Sequence, residues 1–138
     1  TGEADGAIAW AWVNKYTTTL FAINSGIVKT SKLTFAGKVY RGVSGMKLPD
    51  TFWTANEFGV KGGVEAAFMS TTLEVAVAMG YAAGDGSKMG IVLEIRQGMV
   101  NRGADISWLS QYPHERETLF GPLTGIEVLR FPVPDPNP

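Results

Sequence analysis

Two glutamates separated by a single residue, Glu115 and Glu117, open an apolar run that ends at Phe120. Side chains alternate between the faces of a β-strand, so a strand over residues 115–120 would place both carboxylates on one face, roughly 6 to 7 Å apart at Cα. Like charges at that separation repel and cost stability. The two glutamates are therefore either solvated surface residues at a strand end or functional carboxylates of a site. Taken alone, the pair leaves both interpretations open.

An arginine lies in the run from Lys38 to Val43, which reads as a short strand. If Arg41 shares a face with Val39, a charged group stands where a core residue could be. One interpretation is an edge-strand arginine paired with a surface acid. The other is an anion clamp, because the planar guanidinium fork matches carboxylate or phosphate.

Three consecutive hydroxyl residues, Ser70-Thr71-Thr72, follow a predicted strand over residues 64–69 and precede a predicted helix that starts near Leu73. A serine or threonine in this place is typical of a helix N-cap. The exposed N–H groups of a helix N-terminus also suit a phosphate-bearing ligand. The two interpretations are compatible, and the hydroxyls alone do not separate them.

The composition restricts the function classes. With 138 residues, the chain is one domain that can bury a real core, and its 45% hydrophobic and 18% charged residues are ordinary for a globular protein. A net charge of −1 gives no field that would attract nucleic acid or an anionic membrane. No apolar run is long enough to span a bilayer. We therefore expect neither nucleic acid nor a membrane as a partner.

The chain has no cysteine and a single histidine, His114. This excludes thiolate nucleophiles, cysteine–metal sites and multi-histidine metal centres, and we expect no metal. Any histidine base would have to be His114.

The remaining pattern predicts the elements that must position these groups. The pattern of apolar residues predicts one helix or two short helices over residues 7–28. It predicts the clearest strand of the chain over residues 90–97. Residues 98–113 predict a loop and residues 126–131 a last strand. The helical stripe, which we expect to face the core, consists of Ile8, Trp12, Tyr16, Leu20 and Ile23.

Taken in order, Val39-Tyr40-Arg41-Gly42, Ser70-Thr71-Thr72 and Glu115-Arg116-Glu117 resemble the Arg, Ser-Thr-Ser and Glu-x-Glu motifs of the arginine-specific mono-ADP-ribosyltransferases. The resemblance covers about residues 20–129 and rests on the order of the motifs. Thr72 stands where many relatives have serine and keeps the hydroxyl. The resemblance implies an α+β fold with two antiparallel β-sheets packed around an NAD cleft and flanking N-terminal helices. The catalytic domain would span residues 1–131, followed by a proline-rich tail or linker.

The resemblance also implies roles for individual residues. Arg41 would hold an NAD phosphate or the nicotinamide ribose, and the backbone of Gly42 would contact the nicotinamide amide. Ser70 would hydrogen-bond to the catalytic glutamate or the ribose, with Thr71 supporting the same site. The catalytic glutamate would be Glu117.

Three further features would serve the acceptor and cover the ligand. Glu115 would handle the acceptor arginine, and the segment 104–114 would recognise the acceptor through Trp108 or Tyr112. The segment 72–90 would cover the nicotinamide and the phosphates.

The chemistry of this reaction explains the residue types. Nicotinamide leaves NAD as a neutral molecule, so the demanding step is formation of a sugar cation, as in glycoside hydrolysis. A carboxylate beside the ribose stabilises that cation. The acceptor guanidinium stays protonated and is a poor nucleophile, so a second carboxylate must orient it and take its proton.

We therefore expect a monomeric enzyme that transfers ADP-ribose from NAD, its co-substrate, to exposed arginines of an acceptor protein. An NAD glycohydrolase and a non-catalytic NAD- or partner-binding module of the same fold are the alternatives. The presence of Arg41, Ser70 and Glu117 together favours an enzyme. A two-carboxylate glycosidase is disfavoured, because its acids face each other across the substrate.

Overall fold

The computed structural model describes residues 15–86 and 89–129, which form an α+β arrangement of two antiparallel sheets and a few helices. The strands are β1 (Gly37–Ser44), β2 (Gly62–Glu65), β3 (Met69–Thr72), β4 (Gly90–Gln97), β5 (Ala104–Asp105), β6 (Glu117–Phe120) and β7 (Thr124–Glu127). The helices are α1 (Thr17–Thr30), α2 (Asp50–Trp53) and α3 (Val75–Ala83), with 3₁₀ turns at Ser31–Leu33 and Pro113–Glu115. The predicted α+β class with two antiparallel sheets is confirmed at this level. Within these residues no helix is both long and apolar enough to cross a membrane.

The larger sheet has five strands in the order β4-β1-β3-β6-β5. β1 pairs with β4 along its whole length, from Gly37 opposite Gln97 to Ser44 opposite Gly90. With β3 it pairs only where Tyr40 lies opposite Thr72, so the two strands separate on either side of this contact. The predicted strand over residues 90–97 is confirmed. The edge-strand interpretation of Arg41 is wrong, because β1 has a neighbour on each side.

The pairing of β3 with β6 alternates buried and accessible positions. Met69 lies opposite Phe120, and both are buried. Ser70 lies opposite Leu119 on the other face, where both are more accessible. With Val39, which is fully buried, Met69 and Phe120 form the centre of the hydrophobic core.

The smaller sheet joins β2 to β7 and corrects one prediction. We expected one strand over residues 64–69 with the hydroxyls after it, but β2 ends at Glu65 and a second strand contains Ser70, Thr71 and Thr72. The chain leaves the small sheet after Glu65 and enters the large one at Met69. Threonine is β-branched and suits a strand, which is why the hydroxyl run is not the helix cap itself.

The N-terminal helix is present but is packed differently from the prediction. Tyr16, Leu20 and Ile23 are 62%, 47% and 42% exposed, and Ile27, near the end of α1, is the buried residue of this helix. The predicted core stripe is therefore wrong for these three residues. Its other two members lie outside the described residues, as does the tail over residues 132–138. The predicted last strand over residues 126–131 is only partly confirmed, because β7 spans Thr124–Glu127 and residues 128 and 129 are not strand.

Helix α3 lies against β1 and β4 with its backbone almost touching theirs. A Cβ atom added to Gly42 on β1 would lie 1.8 Å from the carbonyl oxygen of Ala78, and one added to Gly90 on β4 would lie 1.9 Å from that of Ala82. Backbone atoms cannot yield as a flexible side chain can. The two glycines therefore set the distance between the helix and the sheet.

Replacing Gly42 with alanine should separate α3 from the sheet. We expect Gly42→Ala to lower the free energy of unfolding by about 1–3 kcal/mol or more, as overpacking does. Gly80→Ala on the same helix is the matched control, because nothing lies within 4 Å of its added Cβ. It should be neutral or stabilise by up to about 1 kcal/mol through helix propensity. Urea unfolding of both variants measures the difference, and equal stabilities would contradict the close approach.

Candidate functional site

An open cleft of about 280 Å³ lies where β1, β3, the start of β6 and helix α3 meet. The structure brings all six predicted site residues, Arg41, Gly42, Ser70, Thr71, Glu115 and Glu117, to its lining. The other lining residues are Tyr40, Thr72, Val77, Ala78 and Tyr81. Groups that lie up to 77 positions apart in the sequence thus share one small space.

Ser70 connects the arginine to one of the glutamates. Its backbone carbonyl accepts a hydrogen bond from Nη1 of Arg41 at 3.0 Å. Its hydroxyl donates to Oε1 of Glu117 at 2.6 Å. A hydroxyl bonded to a carboxylate is a charge-assisted contact and restricts the rotation of that carboxylate. One serine therefore fixes a cation and an anion relative to each other.

The guanidinium of Arg41 also contacts the second sheet. Its Nη2 lies 3.4 Å from Oε2 of Glu65, the last residue of β2, and both side chains are about three-quarters buried. The backbone N–H of Ala67 donates to the other oxygen of Glu65 at 3.2 Å. An arginine has five N–H donors, so these contacts hold the side chain and leave donors for a ligand anion.

Glu115 reaches the cleft by a route that differs from the prediction. We expected a strand over residues 115–120, but Glu115 ends the 3₁₀ turn that begins at Pro113, and only Glu117 belongs to β6. Between them, Arg116 has a left-handed backbone with φ of 47°. The two carboxylates still line one cleft, although a turn rather than strand alternation brings them together.

Thr72 holds this turn against the start of α3. Its hydroxyl donates to the backbone carbonyl of Glu115 and accepts from the N–H of Glu74 at 2.9 Å. The N–H of Leu73 donates to the carbonyl of Arg116 at 3.2 Å, and the Arg116 side chain pairs with Glu74 at 2.9 Å. The predicted capping role of the hydroxyl run is wrong, because the N-cap residue of α3 is Glu74 and no side chain caps the helix; Thr72 binds only the N–H of Glu74 itself.

Tyr81 of α3 donates its hydroxyl to Oε1 of Glu115 at 2.9 Å. This hydrogen bond, together with the negative charge of the same carboxylate, raises the pKa of Tyr81 above its ordinary value of 10.0. Glu117 adds a smaller effect in the same direction. Each glutamate therefore has its own hydroxyl partner, Ser70 for Glu117 and Tyr81 for Glu115.

The predicted residues Thr71 and Gly42 make contacts that hold the elements around the cleft together. The hydroxyl of Thr71 is buried and donates to the carbonyl of Thr118 at 2.7 Å, so it ties β3 to β6 beneath the cleft. Gly42 has no side chain and lies under Ala78 of α3. Whether either contacts a ligand stays a prediction.

The loop before the glutamates is largely solvent-exposed. Trp108 is 73% exposed and Tyr112 51% exposed, and neither lines the cleft. The ring of Tyr112 packs edge-on against His114, with ring centres 6.1 Å apart. The histidine does not line the cleft either, so the described cleft has no imidazole base.

Sequence reasoning missed Tyr81 and Glu65. For Tyr81 a signal existed, since Val77 and Tyr81 are four residues apart on a predicted helix and therefore share a face. No comparable signal existed for Glu65, because its contact with Arg41 joins two sheets whose relative placement the sequence does not reveal.

Within the described parts of the chain, no group of histidine and acidic residues is arranged to hold a metal ion. Comparisons with protein-family models, with curated proteins and with solved structures gave no match. The functional argument therefore rests on the geometry of the cleft and on the motifs of the sequence.

The contact between Tyr81 and Glu115 predicts a measurable titration. Ultraviolet difference titration of the protein against its Tyr81→Phe variant should place the pKa of Tyr81 above 10.0. In a Glu115→Gln background the same difference should move back toward about 10, because the charged acceptor is gone. The contact should stabilise the fold below pH ~10 and lose this contribution as the pH rises through the folded-state pKa of Tyr81. An identical titration in both backgrounds would contradict the contact.

Proposed function

We propose that this protein is a mono-ADP-ribosyltransferase that transfers ADP-ribose from NAD to arginine side chains of an acceptor protein. The observation that carries the proposal is the hydrogen-bonded series from Arg41 through Ser70 to Glu117. These are the residues in which the sequence resembles the family motifs, and they meet in one cleft. The proposal includes the finer fold assignment, an ADP-ribosyltransferase fold built on the two antiparallel sheets.

The geometry suits cleavage of the bond between ribose and nicotinamide. Glu117 is held by Ser70 with one carboxylate oxygen engaged, so its charge is fixed before a substrate arrives. A preorganised charge stabilises a developing sugar cation without rearrangement during the reaction. Arg41 lies on the other side of Ser70, where it can hold a phosphate of the same substrate.

Glu115 suits the second half of the reaction. It lies in the same cleft as Glu117 but is bonded to a different residue, Tyr81. Its carboxylate can accept a proton from an arginine guanidinium and align it with the ribose carbon. Two acids with separate partners can therefore serve two different substrates.

The size and shape of the cleft fit one end of a dinucleotide. Its volume of about 280 Å³ lies just below the range of ligand pockets, which is roughly 300 to 1,000 Å³. We propose that the nicotinamide ribose occupies the cleft and that the rest of NAD extends through its open side past Arg41.

The two glutamates give the decisive experiment, which measures nicotinamide release and labelling of agmatine, an arginine analogue, from labelled NAD. Glu117→Gln should abolish both reactions, because removing a major electrostatic contact costs on the order of a hundredfold or more in rate. Glu115→Gln should abolish labelling but keep substantial nicotinamide release, since water needs less activation than a guanidinium cation.

The matched control is Glu57→Gln, which removes a charge from an exposed residue that does not line the cleft and should change neither reaction. Nicotinamide release by the unaltered protein without labelling of agmatine or of a protein mixture would identify a glycohydrolase. NAD binding without nicotinamide release would indicate a binding module. Retained hydrolysis in Glu117→Gln would refute the assigned roles.

Arg41→Lys keeps the positive charge but loses the planar fork that reaches both Ser70 and Glu65. We expect the fold to be retained and the KM for NAD to rise about tenfold or more, as for loss of a charge-assisted hydrogen bond. Steady-state kinetics with varied NAD measure this, with circular dichroism as the check on folding. Unchanged kinetics would mean that Arg41 has no part in binding NAD.

A further inference from the structure

Beyond the residues that the motifs single out, the cleft contains one more polar side chain in contact with a glutamate. Tyr81 lies on α3 one turn after Val77, and both side chains line the cleft. Its hydroxyl reaches Oε1 of Glu115 across 34 positions of sequence. Among the described residues, the other carboxylate oxygen, Oε2, has no hydrogen-bond donor.

We propose that Tyr81 is a positioning residue for the acceptor step, which fixes the Glu115 carboxylate so that Oε2 faces the incoming guanidinium. This inference deepens the proposed function and rests on it. It gives the enzyme a determinant of transfer that is separate from the machinery for cleaving NAD.

The argument begins with the freedom that Glu115 would otherwise have. The backbone of Glu115 is anchored by Thr72, but its side chain has three rotatable bonds and lies at the open cleft. Holding a flexible group in its reactive orientation reduces the entropy that must be lost in the transition state. A single hydrogen bond at 2.9 Å to one oxygen does this and leaves the other oxygen available.

The donor itself is well placed to act as a fixed point. Helix α3 is held to the sheet by the backbone contacts at Gly42 and Gly90. Tyr81 is nevertheless 58% exposed, so its side chain is not a packing element of the core. Loss of its hydroxyl should therefore change the orientation of Glu115 without unfolding the domain.

The arrangement parallels the one at the other glutamate. Ser70 fixes Glu117 through a hydroxyl at 2.6 Å, and Tyr81 fixes Glu115 in the same manner. Because the two hydroxyls come from different elements, β3 and α3, removing one leaves the other contact in place. The two half-reactions should accordingly respond separately to substitution.

The test is Tyr81→Phe, which keeps the ring and removes only the hydroxyl. We expect kcat/KM for agmatine to fall about tenfold, the effect of losing a hydrogen bond to a charged group. Nicotinamide release without acceptor should fall by much less than labelling does, because Glu117 keeps its contact with Ser70. The readout is the ratio of agmatine labelling to nicotinamide release, which a purely structural defect would not shift. Tyr16→Phe, the same chemical change at a residue outside the cleft lining, is the control.

Each outcome decides the matter. A selective loss of labelling supports the inference. Equal loss of both reactions, or labelling that is unchanged or increased, overturns it while the proposed function stands. If the unaltered protein cleaves no NAD, the proposed function fails and the inference fails with it. Thermal unfolding of Tyr81→Phe at the temperature of the unaltered protein confirms that folding is not the cause.

Discussion

The antiparallel pairing of β3 with β6 is the constraint on which the cleft depends. It brings Ser70 diagonally across from Glu117, a separation that polar side chains can bridge on one face of a sheet. On the opposite face, the buried pair of Met69 and Phe120 fixes the register. A shift of one residue would turn Ser70 toward the core and the buried methionine toward the cleft. The hydrophobic core thus determines which polar groups meet.

The second constraint is the close approach of α3 to β1 and β4. Because Gly42 and Gly90 have no side chains, the helix backbone lies directly on the strands, and its Val77, Ala78 and Tyr81 form one wall of the cleft. A side chain at Gly42 would displace the helix backbone and would also block the access of a ligand to the strand backbone in the cleft. Stability measurements address only the first, and ligand affinity would report on the second.

Local patterns in the sequence predicted the strands β1 and β4 and the presence of helices, because period-two and period-3.6 alternation reflects local backbone geometry. They failed at Glu115, where a left-handed Arg116 interrupts a run that looks like continuous strand. Pro113, which begins the 3₁₀ turn, was the available signal. The exposed stripe of α1 shows a second limit. Periodicity indicates which residues share a face of a helix, but not whether another element of the protein covers that face. The order of the motifs identified which residues would share the cleft, whereas the contacts of Tyr81 and Glu65 depend on how separate elements pack.

The charges of the cleft are arranged in pairs that are already satisfied by neighbouring groups. Arg41 has Glu65 and a carbonyl oxygen, Glu117 has a serine hydroxyl, and Glu115 has a tyrosine hydroxyl. Such pairing keeps each group oriented in the absence of ligand, at the expense of some of its attraction for a ligand. The cleft places one cation, Arg41, beside two anions, Glu115 and Glu117. A ligand with an anionic group next to an atom that becomes positively charged would match this arrangement, and NAD is such a ligand. Under the proposed function, the Arg41–Glu65 pair would have to share its cation with the pyrophosphate of NAD, and Glu65 would moderate the affinity for NAD while keeping the guanidinium in place.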